Sequence, residues 1–218
     1  MKSPSRNSNY ISALRFNWLT SIYDPLIRWT IRGEKFKRKL LEQTNILPGH
    51  KVLDLGCGTA TLTLKIKNAC PEANVFGLDG DPNVLKIASA KAVKANIAIQ
   101  FNQGMSFKLP YTDNKFDTVV SSLFFHHLTR ENKLRTMAEI KRVLKPTGEL
   151  HLVDWGKPKN FLMRAAFYLV QMLDGFETTA DNVAGLLPEL LRASTFKNVR
   201  VTNQLTTIVG TLSYYRAD

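Results

Sequence analysis

Apolar positions fall into two rhythms along the chain. Short runs at Lys51–Leu55, Asn74–Leu78 and Thr118–Ser122 are almost continuously apolar and bounded by turn formers, as expected of strands buried on both faces of a parallel sheet. Ile97–Asn102 and Glu149–Asp154 read as two further strands. Between strands the apolar residues return every three or four positions. Leu62, Leu64 and Ile66 follow the first strand, and Leu134, Met137, Ile140, Val143 and Leu144 stripe the stretch 129–144, which predicts helices. Asp81-Pro82 and Thr129 are placed as helix starts, cap first and proline in the first turn. The alternation of strand and helix predicts an α/β fold with a mostly parallel sheet. At the end, Lys197–Thr202 and Thr206–Tyr214 read as an antiparallel pair joined by a turn containing Asn203, preceded by a helix over Asn182–Ala193. Phe161–Leu173 is apolar almost all round, which suits a helix packed in the core or one facing a greasy ligand.

The stretch KVLDLGCGTA, residues 51–60, adds chemistry. A buried strand delivers Asp54 to its carboxyl end, Gly56 and Gly58 remove two Cβ atoms where the chain must turn, and Thr59 is placed to cap the next helix. This predicts backbone N–H groups and a helix N-terminus facing a ligand at the carboxyl edge of the sheet. A dinucleotide loop would carry a third glycine at position 61, where Thr61 stands, and an acid at 54 disfavours phosphate and suits an ammonium group. Asp79 ends the second strand 21 residues after Gly58, where a carboxylate can accept hydrogen bonds from both hydroxyls of a ribose. Gly80 follows it, and Val84 is placed in the next first turn to touch a planar base.

At 218 residues and 44% hydrophobic composition the chain is long enough for one well-buried α/β domain. Cys57 and Cys70 lack metal-site spacing and suit a reducing cytoplasm. The first ten residues lack the apolar core of a signal peptide, and residues 1–9 read as disordered. The net charge of +12 is concentrated early: Lys2, Arg6, Arg15, Arg28, Arg32, Lys35, Lys37, Arg38 and Lys39 face Asp24, Glu34 and Glu42 within the first 50 residues. Such a cluster is either a solvated face or a contact for anionic lipid, an acidic substrate or nucleic acid. Aromatic residues crowd the same region, from Tyr10 to Trp29, with a helix start at Asp24-Pro25.

Five segments, Asp54–Gly58, Asp79, Gly104–Pro110, Phe116–Leu128 and Glu139–Gly148, resemble in order and spacing the motifs of class I S-adenosylmethionine-dependent methyltransferases. The glycine motif has Ala60 as its third small residue. The adenine-gripping segment has Met105 where the family has an acid, and the late signature has Thr147 for a glycine. The wording is similar to the ubiquinone/menaquinone C-methyltransferase branch. The resemblance implies a Rossmann-like sandwich with a seven-stranded, mostly parallel sheet and an antiparallel C-terminal strand. Residues 1–44 would form a helical lid or cover, and residues 45–218 the catalytic domain, with a helical insertion at about 155–195. It implies S-adenosylmethionine bound by Asp54, Gly56, Cys57, Gly58, Asp79, Gly80, Val84, Met105, Ser106, Ser122 and Tyr23.

No Asn-Pro-Pro-Tyr type tetrapeptide follows Ser122, nor a pair of clamping glutamates, so nucleic-acid and arginine methylation are disfavoured. His126 and His127, just past that strand, are the candidate bases for an acceptor that must lose a proton, one of them at most reaching it. The other reading is a histidine that caps the next turn. His50 and His151 read as structural. A small lipophilic acceptor, quinol-like or lipid, is expected, with the basic N-terminus touching an anionic membrane from the cytoplasmic side. The alternative is an RNA-associated or non-catalytic binding module using the positive charge.

Overall fold

A computed structural model describes residues 33–208 and 210–218. The readings placed on residues 1–32, among them the aromatic run, the Asp24-Pro25 helix start, Tyr23, the lid and the early basic residues up to Arg32, lie outside the described residues.

Helix α1 (Gly33–Glu42) precedes β1 (Lys51–Leu55), α2 (Thr61–Ala69), β2 (Asn74–Asp79), α3 (Pro82–Lys94), β3 (Gln100–Gln103) and β4 (Phe116–Ser122). A 3-10 turn at Phe125–His127 leads to α4 (Arg130–Val143) and β5 (Leu144–Gly156). Then come α5 (Phe161–Asp174), α6 (Phe176–Ala184), α7 (Leu187–Ala193), β6 (Arg200–Thr206) and β7 (Thr211–Ala217). The strands form one sheet in the order β3-β2-β1-β4-β5-β7-β6. β1 to β5 pair in parallel, and β7 runs antiparallel to both β5 and β6. The sheet reverses its order between β1 and β4, so a crevice opens at the carboxyl ends of β1, β2 and β4, the usual ligand position in such sheets.

Successive strand residues point to opposite faces, and both faces are covered. Leu53, Leu55, Leu78, Val119, Leu150 and Leu152 pack under α4 and α7 through Met137, Ile140, Leu187 and Leu191. Val52, Val75, Val120, Val153 and Trp155 meet Phe36 and Leu40 of α1, Leu62 and Ile66 of α2, and Phe167 and Val170 of α5. Asp54 lies on this second face, flanked in sequence by Leu53 and Leu55, which face the other way.

The structure moves several predicted boundaries. The stretch 182–193 is not one helix: the chain turns left-handed at Gly185 (φ 79°), which ends α6, and α7 begins at Leu187. Asn203 is a strand residue beside an irregularity in the β6–β7 pairing, and the hairpin turn falls at 207–210, where the Thr207 hydroxyl donates to the Gly210 carbonyl and accepts from its N–H. β3 is shorter and later than Ile97–Asn102, while β5 starts at Leu144.

Candidate functional site

At the end of β1 the bend is built as two bare positions with different surroundings. Gly56 has φ 70°, and a Cβ there would overlap the Phe124 ring. Gly58 has φ 51° and open space where its Cβ would stand. Ala60 holds the same left-handed conformation (φ 61°, ψ 24°) although it is not glycine, a strain of about 1 kcal/mol. It is the residue before α2. Thr59 therefore does not cap that helix; its hydroxyl instead accepts from Lys91 Nζ at 2.8 Å.

The expected unengaged N–H groups are a second correction. Gly56 and Cys57 N–H donate to the Leu78 carbonyl at 2.9 and 3.0 Å. Gly58 N–H donates to Asp79 Oδ2 at 2.9 Å, and Ala60 N–H to the Cys57 carbonyl at 2.9 Å. The loop spends its donors on β2 and on itself. It is a shaped wall, not a phosphate cradle, which agrees with an acid, Asp54, at its start.

The two carboxylates are held differently. Asp54 is 1% exposed; Thr63 donates to its Oδ2 at 2.6 Å, while its Oδ1 is buried with no hydrogen-bond partner. Burial pushes its carboxyl up to about 6, with Thr63 and Lys37 opposing. An unpartnered buried carboxylate oxygen beside an open glycine bend fits an ammonium group. Asp79 accepts from Gly58 N–H through Oδ2 and from Asp81 N–H at 3.0 Å through Oδ1. Burial raises it, against those two hydrogen bonds. Asp81 itself caps α3, accepting from Asn83 N–H at 2.8 Å, as the sequence predicts.

A cleft opens beside Asp79. Of the sequence candidates Gly56, Asp79, Gly80, Met105, Ser106 and His127 line it, joined by Phe107, Phe124 and Leu128. Asp54, Cys57, Gly58, Val84, Ser122 and His126 do not. Val84 stands half-buried in the first turn of α3. Ser122 ends β4 opposite Val153. Cys57 is buried, and burial with the nearby Asp54 and Asp79 charges pushes its thiol well up, so it stays protonated. The Ser106 hydroxyl shares a 2.8 Å hydrogen bond with Thr136 Oγ1 of α4 and is turned into the core.

The loop 104–113 that walls the cleft is clamped from α4. Glu139 Oε2 accepts from Leu109 N–H at 2.7 Å, and Arg142 donates to Glu139, to Asp113 Oδ1 at 2.7 Å and to the Leu109 and Tyr111 carbonyls. The late motif, Glu139–Gly148, thus acts from behind the site.

After β4 the chain makes a sharp turn at Leu123 (φ 53°), and Asp154 of β5 catches it. Asp154 Oδ2 accepts from Phe124 and Phe125 N–H at 3.1 and 2.7 Å. Its Oδ1 accepts from His126 Nδ1 and Trp155 N–H, both at 2.7 Å, and from Asn182 Nδ2 at 3.3 Å. Asp174, from the end of α5, brings its carboxylate 3.7 Å from His126 Nε2 and 4.0 Å from His127 Nδ1. These three residues place their donor atoms within 4.8 Å of one another, close enough to share a metal ion. Burial works against charge on His126, but the Asp154 carboxylate outweighs it and the net shift is upward. Burial and then the His126 charge hold His127 well below the usual imidazole range. The His126 ring, anchored by Asp154, thus lies with its centroid 4.0 Å from that of His127 at a tilt of 43°, and His127 stands on the cleft wall.

Sequence reasoning missed Asp154 and Asp174. Asp154 was visible only as the acid ending a strand, and Asp174 lies 48 residues from its partner His126 with no motif around it. Lys133 and Asp181 were missed as well. Lys133 is fully buried and donates to the Thr178 carbonyl at 2.6 Å and to Asp181 Oδ2 at 3.2 Å, tying α6 to α4, and Arg130 Nε reaches Asp181 Oδ1 at 2.9 Å.

Known proteins are similar to this chain in fold and in sequence. A family of methyltransferase domains matches residues 52–148. The chain is 28% identical over 228 aligned positions to a demethylmenaquinone methyltransferase of Symbiobacterium thermophilum, covering 99% of this chain and 89% of that one. It is 31% identical to an uncharacterized methyltransferase of Synechocystis, covering 85% of both. Among solved structures, a SAM-dependent methyltransferase from Methanosarcina mazei superposes with a TM-score of 0.65 at 21% identity, over 79% of this chain and 93% of that one.

Proposed function

The chain belongs to the class I S-adenosylmethionine-dependent methyltransferases, in the ubiquinone/menaquinone C-methyltransferase-like branch, and from that premise we propose that it methylates a small lipophilic acceptor, quinol-like in character. The observation that carries this reading is the cleft wall. Met105, Phe107, Phe124 and Leu128 surround it with apolar surface, and one neutral imidazole, His127, faces into it. Such a site binds by shape and exclusion of water, with few polar anchors.

S-adenosylmethionine, when bound, would supply a methyl group on a sulfonium whose departure needs no acid. Asp79 would hold its ribose hydroxyls, and Asp54, whose Oδ1 has no partner, would hold its ammonium group. Met105 would offer its adenine an apolar contact, and Phe124, packed against Gly56, would close the same wall. His127 accepts the proton that a phenolic or quinol acceptor releases, which a neutral imidazole can do near neutral pH. His126, held by Asp154 through Nδ1, lies against His127 and orients it, and burial together with His126 disfavours charge on its neighbour. The remaining catalytic contribution is alignment and exclusion of water.

The experiment is to incubate the protein with methyl-labelled S-adenosylmethionine and a cell extract. Label is expected in the organic-extractable fraction; label in RNA or protein would overturn the reading.

A further inference from the structure

Helix α5 has two apolar faces, and only one is used. Met163, Phe167, Val170 and Gln171 are buried against the sheet. The opposite side presents Phe161, Leu162, Tyr168, Leu169, Met172 and Phe176 just beyond its end, with Phe161 82% and Leu169 65% exposed. These positions recur at helical spacing and form one continuous stripe on a helix of 14 residues, roughly 21 Å long. A contiguous apolar patch of this kind marks an interaction surface. The flanks are mainly basic, with one exposed acid, Glu177, after Phe176. Lys157 and Lys159 are exposed on the approach to the helix, and Arg164 lies on its side over the Tyr168 ring at 4.0 Å. The single acid of the helix, Asp174, has a side chain 2% exposed and turned to the histidine pair.

We infer that the outward stripe of α5 is a docking face for an anionic lipid bilayer, lying in the headgroup–acyl boundary with its lysines on the phosphates. Residues 1–32 are a poorer occupant. They carry Lys2, Arg6, Arg15, Arg28 and Arg32 against Asp24, and would bring like charge to Lys157, Lys159 and Arg164. A second copy of the chain would do the same. The placement also has a consequence for the site. Asp174 at the end of the stripe faces His127 on the cleft wall, so an acceptor dissolved in the bilayer would leave it beside the cleft. This deepens the lipophilic-acceptor reading, while the docking itself is read without turnover.

The test is flotation of the full chain with vesicles of phosphatidylglycerol and phosphatidylcholine, against phosphatidylcholine alone. Wild type is expected to float with the anionic vesicles and to be released by salt. The double variant Leu169→Glu/Met172→Glu is expected to lose about tenfold or more of that partition, with its melting temperature and S-adenosylhomocysteine affinity unchanged. As a conservative second probe, Leu169→Trp is expected to show a blue-shifted emission quenched by brominated acyl chains. Equal flotation of the double variant, a lowered melting temperature (the face covered by residues 1–32), or a wild-type dimer that the double variant dissociates without vesicle binding would each overturn the inference. Retained vesicle binding with no methylation of quinols would contradict the acceptor reading and leave the docking face standing.

Discussion

Asp79 sits at the point where the loop and the second strand are joined, since it accepts from both Gly58 and Asp81 N–H. Asp79→Ala removes an ionised acceptor and loosens the bend, so S-adenosylhomocysteine affinity should fall by roughly ten- to a hundredfold, on the order of 1.5–3 kcal/mol, by calorimetry. Asp54 gives a pH signature. Its folded pKa, about 6, lies above the ordinary carboxylate value. The folded protein therefore holds this proton more tightly than the unfolded one, and stability from this group declines as pH rises from about 4 to 6. If its carboxylate receives the ammonium group, ligand affinity should rise with pH up to about 6 and then level off. Asp54→Asn should flatten that rise; calorimetry between pH 5 and 8 would check it. At position 60, Ala60→Gly relieves the left-handed strain and should leave stability unchanged or raise it by up to about 1 kcal/mol. A loss on thermal melting would mean that the buried methyl matters more than the backbone.

Among the elements, the turn after β4 and the pair α4–α6 depend on groups far away in sequence. His126 is raised above its ordinary value, so its stabilising contribution is fully present below pH 6.5 and fades as pH rises through its folded pKa. Lys133→Ala leaves Asp181 to Arg130 alone and removes the buried tie to the Thr178 carbonyl, and should destabilise the fold by about 2 kcal/mol, seen as a lower midpoint in urea. The sequence pattern located β1, β2, β4 and α4 because their apolar rhythm and caps are local. It also located the Glu139–Gly148 motif, although its role as the clamp on the loop 104–113 depends on Arg142 reaching back to Asp113 and Leu109. It misplaced the α6–α7 break because a single left-handed residue, Gly185, interrupts an otherwise helical run. It left the phase of α5 open because a helix that is apolar all round has no polar side to say which half faces out.

At the scale of the molecule, the sheet order places β1, β2 and β4 side by side, and their carboxyl ends carry Asp54, Asp79 and the turn to His127. The acids are legible at their strand tips from the sequence, and so is the nucleoside-cofactor reading. The histidine pair was legible as residues but not as two rings shifted in opposite directions, because Asp154 and Asp174 come from elements that only the fold brings together. Among the described residues no helix is long and apolar enough to cross a membrane. His127→Ala should slow methyl transfer by about a hundredfold with S-adenosylhomocysteine affinity intact. The account rests on the cofactor lying between the two acids. Calorimetric titration of S-adenosylhomocysteine into wild type, Asp54→Asn and Asp79→Ala tests this directly: one-to-one binding by the wild type, weakened in both variants, is the predicted result, and equal affinity in all three proteins would contradict it.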